Sequence, residues 1–160
     1  SINWISASQQ HNDQYGGMMF VPNATVIVQS REWAAAQACD DPWVYNRIDF
    51  ETGHSVKAID GELDLFGDGT VRIVPTYGHT PGHQSAIVRL PGGEILLAAD
   101  CCYTERTLDE RALPGFTHDK AEGLVTLDRL ARLRARGTRI MYGHDAKLWA
   151  RVTEGVAISG

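Results

Sequence analysis

Short runs of β-branched and apolar residues alternate along this chain with polar, glycine-punctuated stretches. Residues 2–6 read as the end of a strand entering a polar loop that runs from Ser8 to Gly17, and Thr25–Gln29 (TVIVQ) reads as a second strand. Ser30 stands where it can cap a helix over residues 31–38, and Asp40-Asp41-Pro42 ends that helix. Trp43 to Ile59 carries only weak signals. Residues 63–66 and Val71–Pro75 flank Gly67-Asp68-Gly69, and residues 86–90 and 94–99 flank Pro91-Gly92-Gly93; each pair predicts a hairpin.

Ile95 to Ala99 is continuously apolar, the pattern of a strand covered on both faces. The clearest helix spans residues 119–136. Leu124, Leu127, Leu130 and Leu133 recur at helical spacing, Thr117 or His118 stands at the cap, and Gly137 closes it. Arg139–Tyr142 is a last short strand, ending at Gly143-His144-Asp145. Short strands interleaved with amphipathic helices predict a layered α/β fold, and no linker divides the 160 residues, which read as a single domain.

Composition narrows the function classes. With 43% apolar and 22% charged residues the chain is globular, and no apolar run reaches the length of a membrane span. A net charge of −5 argues against nucleic acid as the partner, because phosphate contacts need a basic surface. Arg129, Arg132, Arg134, Arg136 and Arg139 read as a solvated helix face. Three cysteines, Cys39 and the adjacent Cys101 and Cys102, make no disulfide framework and suit a reducing cytoplasm. The chain opens on Ser1 rather than Met, as a processed chain or a piece of something longer would.

Candidate chemistry gathers at the strand ends. His11 and Asp13 lie in the loop Gln9-Gln10-His11-Asn12-Asp13-Gln14-Tyr15-Gly16-Gly17, His79 and His83 lie in Gly78-His79-Thr80-Pro81-Gly82-His83, Asp100 ends the most apolar strand, and His144 ends the last. A single His-x-Asp pair is an ordinary loop feature. Four clusters in this order, each at a strand tip, supply the nitrogen and oxygen donors that a Zn²⁺-like ion needs on a rigid frame. Two ions sharing a carboxylate can hold a hydroxide at neutral pH and polarise a carbonyl.

Order and local sequence resemble the metallo-β-lactamase superfamily, whose first motif is His-x-His-x-Asp-His followed by Gly-Gly. Gln9, His11, Asp13 and Gln14 align with that motif, ahead of Gly16-Gly17. Pro22 to Thr25, Gly78 to Ser85 and Asp100-Cys101-Cys102-Tyr103 are most similar to N-acyl-homoserine lactonases. The resemblance implies an αββα sandwich, shortened at its amino-terminal sheet because only eight residues precede Gln9. It implies a first metal site on His11 and His79, a second on Asp13 and His144, and Asp100 serving both. Gln9 and Gln14 replace a histidine at each site and remain weaker candidate ligands. One or two Zn²⁺ ions are expected, with Mn²⁺ or Fe²⁺ as alternatives and an empty site as a third.

By the same resemblance Tyr103 stabilises the oxyanion formed on a lactone or ester carbonyl, Asp13 serves as a catalytic carboxylate, and His83 plays a supporting role. Cys101 and Cys102 fill space, or one thiol replaces a lost ligand. The implied protein is a cytoplasmic, quorum-quenching type of hydrolase acting on a small lactone or ester, with a homodimer covering the bare sheet face. The alternative is a metal-poor relative serving as a binding or assembly module.

Overall fold

The computed structural model describes residues 2–152. Strands β1 (Trp4–Ser6), β2 (Thr25–Gln29) and β3 (Ser55–Ile59) form a parallel sheet in that order. Strands β4 (Leu63–Asp64), β5 (Val71–Pro75), β6 (Gln84–Leu90), β7 (Gly93–Ala99) and β8 (Arg139–Tyr142) form a second sheet, also in chain order. Its pairs are antiparallel except the last, β7 with β8, which a crossover through α4 (Glu105–Asp109) and α5 (Lys120–Ala135) makes parallel. Short helices α1 (Asn12–Tyr15), α3 (Arg47–Phe50) and α6 (Ala146–Trp149), a 3₁₀ turn at Met18–Phe20 and α2 (Ser30–Ala38) complete the described elements.

Three apolar clusters define the layers. Val26 packs outward with Ala36 of α2, Tyr45 and Phe50. Ile27, the next residue along β2, faces the opposite way and meets Ile73 of the second sheet. Val74, Ile87, Leu96 and Ile140 on the far side of that sheet pack on Leu127 and Leu130 of α5. Helix, sheet, sheet and helix therefore follow one another, the αββα order.

Several local expectations need correction. Ser30 is the first helical residue rather than a cap, and its hydroxyl donates to the Ile59 carbonyl at 3.3 Å. Asp119, not Thr117 or His118, caps α5 by accepting from the Glu122 amide at 3.0 Å. β7 is covered on its second face only in part: Ile95 is buried there but Leu97 on the same face is 40% exposed, while Leu96 and Ala98 are sealed against the α5 side. The weakly patterned stretch before Ile59 holds α3 and β3.

Two glycines fix the loop between β5 and β6. Gly78 has φ +127°, and a Cβ there would lie 2.3 Å from the backbone nitrogen of Gly123 in α5. At Gly82 a Cβ would lie 2.2 Å from the backbone nitrogen of Glu32 in α2. The loop is thus held between helices of opposite outer layers. Neither obstruction can rotate away, so Gly78→Ala should lower stability by about 2–3 kcal/mol. Chemical denaturation checks this, and an unchanged midpoint would contradict the close approach.

Candidate metal centre

Every loop that carries candidate chemistry opens at the same end of the two sheets. Gln9 and His11 follow β1, and the Gln84 amide donates to the Ser8 carbonyl at 2.8 Å, tying that loop to β6. His79 lies between β5 and β6, Asp100 directly follows β7, and His144 follows β8. Ala99 adopts φ 47°, and the β7–β8 register shifts between Leu97 and Ala99. A left-handed non-glycine residue at an irregularity re-aims the next side chain, here Asp100. Behind it, Gly143 leaves no room for a Cβ against the Ala99 carbonyl, and the His144 amide donates to the Tyr103 carbonyl at 2.8 Å.

Asp100 is the hub. It is only 3% exposed, and both oxygens are engaged. Oδ1 lies 2.8 Å from His144 Nε2, while Oδ2 accepts from Gln9 Nε2 at 2.8 Å and lies 3.5 Å from His79 Nε2. Asp13, Asp100 and His144 bring one ligand atom each within 4.8 Å of the others; among the described residues they are the group of three or more His, Cys, Asp or Glu that does so. His11 stacks edge-on against His79 at 5.3 Å between ring centroids, and Tyr103 lies 4.6 Å from the His144 ring and 5.8 Å from the His79 ring.

Burial holds the His11 and His79 imidazoles below the ordinary histidine range; for His11 the neighbouring His79 adds to it. The His79 Nδ1 lies 3.0 Å from the Phe116 carbonyl, which can only accept, so Nδ1 carries the proton and Nε2 keeps its lone pair toward Asp100. Burial, then the charges of Asp100 and Asp13, push the Tyr103 phenol up, so it stays protonated and able to donate. Beside the imidazoles opens a cavity of about 410 Å³ whose walls include His11, Val44, Tyr45, His79, Pro81 and Phe116.

The sequence profile of the metallo-beta-lactamase superfamily matches residues 8–144. The chain belongs to that superfamily. It is 37% identical to the N-acyl homoserine lactonase AttM of Azorhizobium caulinodans over 92% of this chain and 60% of that one. It is 30% identical to the N-acyl homoserine lactonase AiiA of Bacillus thuringiensis subsp. kurstaki, over 89% and 55%. A solved N-acyl homoserine lactone hydrolase, with N-hexanoyl-L-homoserine bound at its catalytic metal centre, superposes with a TM-score of 0.83 at 27% identity, over 94% of this chain and 58% of that one. The chain thus spans about 60% of the length of the first of these curated relatives.

Against the superfamily pattern, the two halves of the centre differ in their fit to a divalent cation. Asp13, Asp100 and His144 present two carboxylates and an imidazole at cation-sized spacing, with a side left open, and this half fits. On the other side Gln9 is fully buried, and its Oε1 accepts from the His11 amide at 2.9 Å. That leaves an amide NH₂, which has no lone pair to give, facing Asp100 and His79; this half does not fit. Gln14 is exposed and donates to Asp13 Oδ2 at 3.3 Å.

The remaining candidates are structural. His83 is fully buried, bonded through Nδ1 to Thr76 Oγ1 at 2.8 Å, and burial depresses its pKa to about 3, so it stays neutral. Cys101 Sγ donates to the Ala98 carbonyl at 3.1 Å, and burial raises its pKa to about 11; Cys102 Sγ donates to the Thr104 carbonyl at 3.6 Å and is raised further. Neither thiol replaces a lost ligand.

One residue escapes sequence reasoning. Glu32, in the first turn of α2, is fully buried and accepts four hydrogen bonds: from the Gln10 amide, Tyr45 hydroxyl, Thr80 hydroxyl and Gly82 amide, at 3.1, 3.0, 2.6 and 2.8 Å. It ties the loop bearing Gln9 and His11 to the loop bearing His79. The available signal was a glutamate spaced four residues from Ala36 on the buried side of α2.

Proposed function

We propose that this chain is the core of a metal-dependent hydrolase that opens lactones or cleaves esters, with acyl-homoserine lactones as the first substrates to test. The observation that carries the reading is the convergence of Asp13, His79, Asp100, Tyr103 and His144 on one hollow beside an apolar-walled cavity. That its curated relatives are named lactonases points to the same substrate class. A divalent cation on Asp13, Asp100 and His144 would supply Lewis acidity toward a carbonyl and toward water.

The chain's own groups would do the rest. The cavity beside His11 and His79 takes an acyl chain, desolvating it and aligning the carbonyl with the hollow. Exposed Asp13 takes a proton from the attacking water and returns it to the leaving ring oxygen as the acyl C–O bond breaks, giving a hydroxy acid. Tyr103 donates to the oxyanion that forms on the carbonyl oxygen. Its removal in Tyr103→Phe should lower kcat by about 10²-fold with little change in KM, read by steady-state kinetics. Equal kcat in the two proteins would make Tyr103 a packing residue.

The free thiols Cys39, Cys101 and Cys102 support a cytoplasmic site of action. Among the described residues no helix is long and apolar enough to cross a membrane. The reading is tested by acid release from N-hexanoyl homoserine lactone and simple aryl esters, using chelator-dialysed protein with Zn²⁺ or Mn²⁺ restored. Turnover that depends on the cation is expected. No turnover with any ion would leave the binding or assembly module as the better account.

A further inference from the structure

The two sides of Asp100 are held by different means, and Gln9 sets the difference. Its carboxamide is fully buried and its orientation is dictated by neighbours that cannot change roles. The His11 amide can only donate, so Gln9 Oε1 must face it, at 2.9 Å. The NH₂ group then points at Asp100 Oδ2, 2.8 Å away, and at His79 Nε2, 3.5 Å away. Both of these offer lone pairs: the carboxylate by its chemistry, His79 because its proton sits on Nδ1 toward the Phe116 carbonyl. The two amide hydrogens are thus directed at the two lone pairs that a cation on this side would need. Turning the amide over would set N–H against N–H and oxygen against carboxylate, leaving buried donors and acceptors unpaired.

We infer that this centre is mononuclear: one divalent cation binds between Asp13, Asp100 and His144, and the Gln9 amide replaces a second cation on the His11–His79 side. The inference rests on the metallo-hydrolase reading of the same site and adds its stoichiometry. Gln9 is a positioning residue in this scheme. Its N–H bond keeps Asp100 turned so that Oδ1 stays on the Asp13–His144 side, and it does so without charge.

Metal content separates the possibilities. Protein saturated with Mn²⁺ or Zn²⁺ and passed through a desalting column is assayed by mass spectrometry of the metal. The expected content is one ion per chain. The manganese form should give the electron paramagnetic resonance spectrum of an isolated ion, with no coupling to a second one. Asp13→Asn should bring the content close to zero, and Gln9→His should raise it toward two, because imidazole restores a lone pair facing His11, His79 and Asp100. Two ions in the unaltered chain, or a coupled manganese spectrum, would overturn the mononuclear centre and leave the hydrolase reading standing. No ion at saturating metal would overturn both. A single ion in both the unaltered chain and Gln9→His would remove Gln9 from the explanation. Should Gln9→His fail to fold, by circular dichroism, the metal content and resonance spectrum of the unaltered chain still decide the stoichiometry.

Discussion

Glu32→Gln, a nearly isosteric change, should cost about 2–4 kcal/mol of folding stability, because it sets an amide NH₂ against donors. In the native chain Glu32 Oε1 receives the Gln10 N–H and the Tyr45 hydroxyl, and Oε2 receives the Thr80 hydroxyl and the Gly82 N–H. Hydroxyls can turn, but each oxygen also faces a backbone N–H, which cannot. Whichever way the new amide lies, one backbone donor meets another donor in a site closed to water. For a chain of this size the loss corresponds to a fall of roughly 5–15 °C in melting temperature. Cation affinity should fall with it, since this carboxylate fixes, through the Gln10 amide, the loop that bears Gln9 and Asp13. A melting temperature within about 2 °C of the unaltered chain would mean that the four bonds do not hold the two loops together.

Asp100→Asn is expected to have the opposite signature, with stability kept and hydrolysis lost. Asparagine retains the volume and can still accept from Gln9 and bond His144, so the buried network closes without a charge. It removes the carboxylate that both sides of the centre share. On the proposed function, hydrolysis should drop by at least about 10³-fold, equivalent to roughly 4 kcal/mol of barrier, with cation binding reduced in parallel. Kinetics at saturating cation, with a melting curve as the control, reads both effects. Near-native turnover in this variant would place the chemistry elsewhere.

Much of this was legible in the sequence, for physical reasons that differ by element. β2 and α5 could be read because their patterns have the right period and sufficient strength: four of the five residues in TVIVQ are β-branched, and four leucines at helical spacing mark α5. α3 and β3 could not. Arg47–Phe50 is a single turn made by the Asn46 cap, which accepts from the Ile48 amide, and Ser55–Ile59 gains its strand character from pairing with β2. The continuously apolar β7 suggests two covered faces; the Leu96 and Ala98 face is sealed, and the other is covered at Ile95 but open at Leu97.

Site residues divide in the same way. His79, Asp100 and His144 could be located because each follows a recognisable strand. Glu32 was hidden because a glutamate in a first helical turn is already explained by the helix dipole. Position in the motif makes Gln9 a weakened ligand; only the neighbouring His11 amide shows that its nitrogen, not its oxygen, faces Asp100.

Anomalous diffraction from crystals grown with Mn²⁺ tests the central claim most directly. A strong peak within bonding distance of Asp13, Asp100 and His144 is the predicted result, with Gln9 still donating to Asp100 on the other side. A peak coordinated by His11 and His79, or none within reach of Asp100, would contradict it.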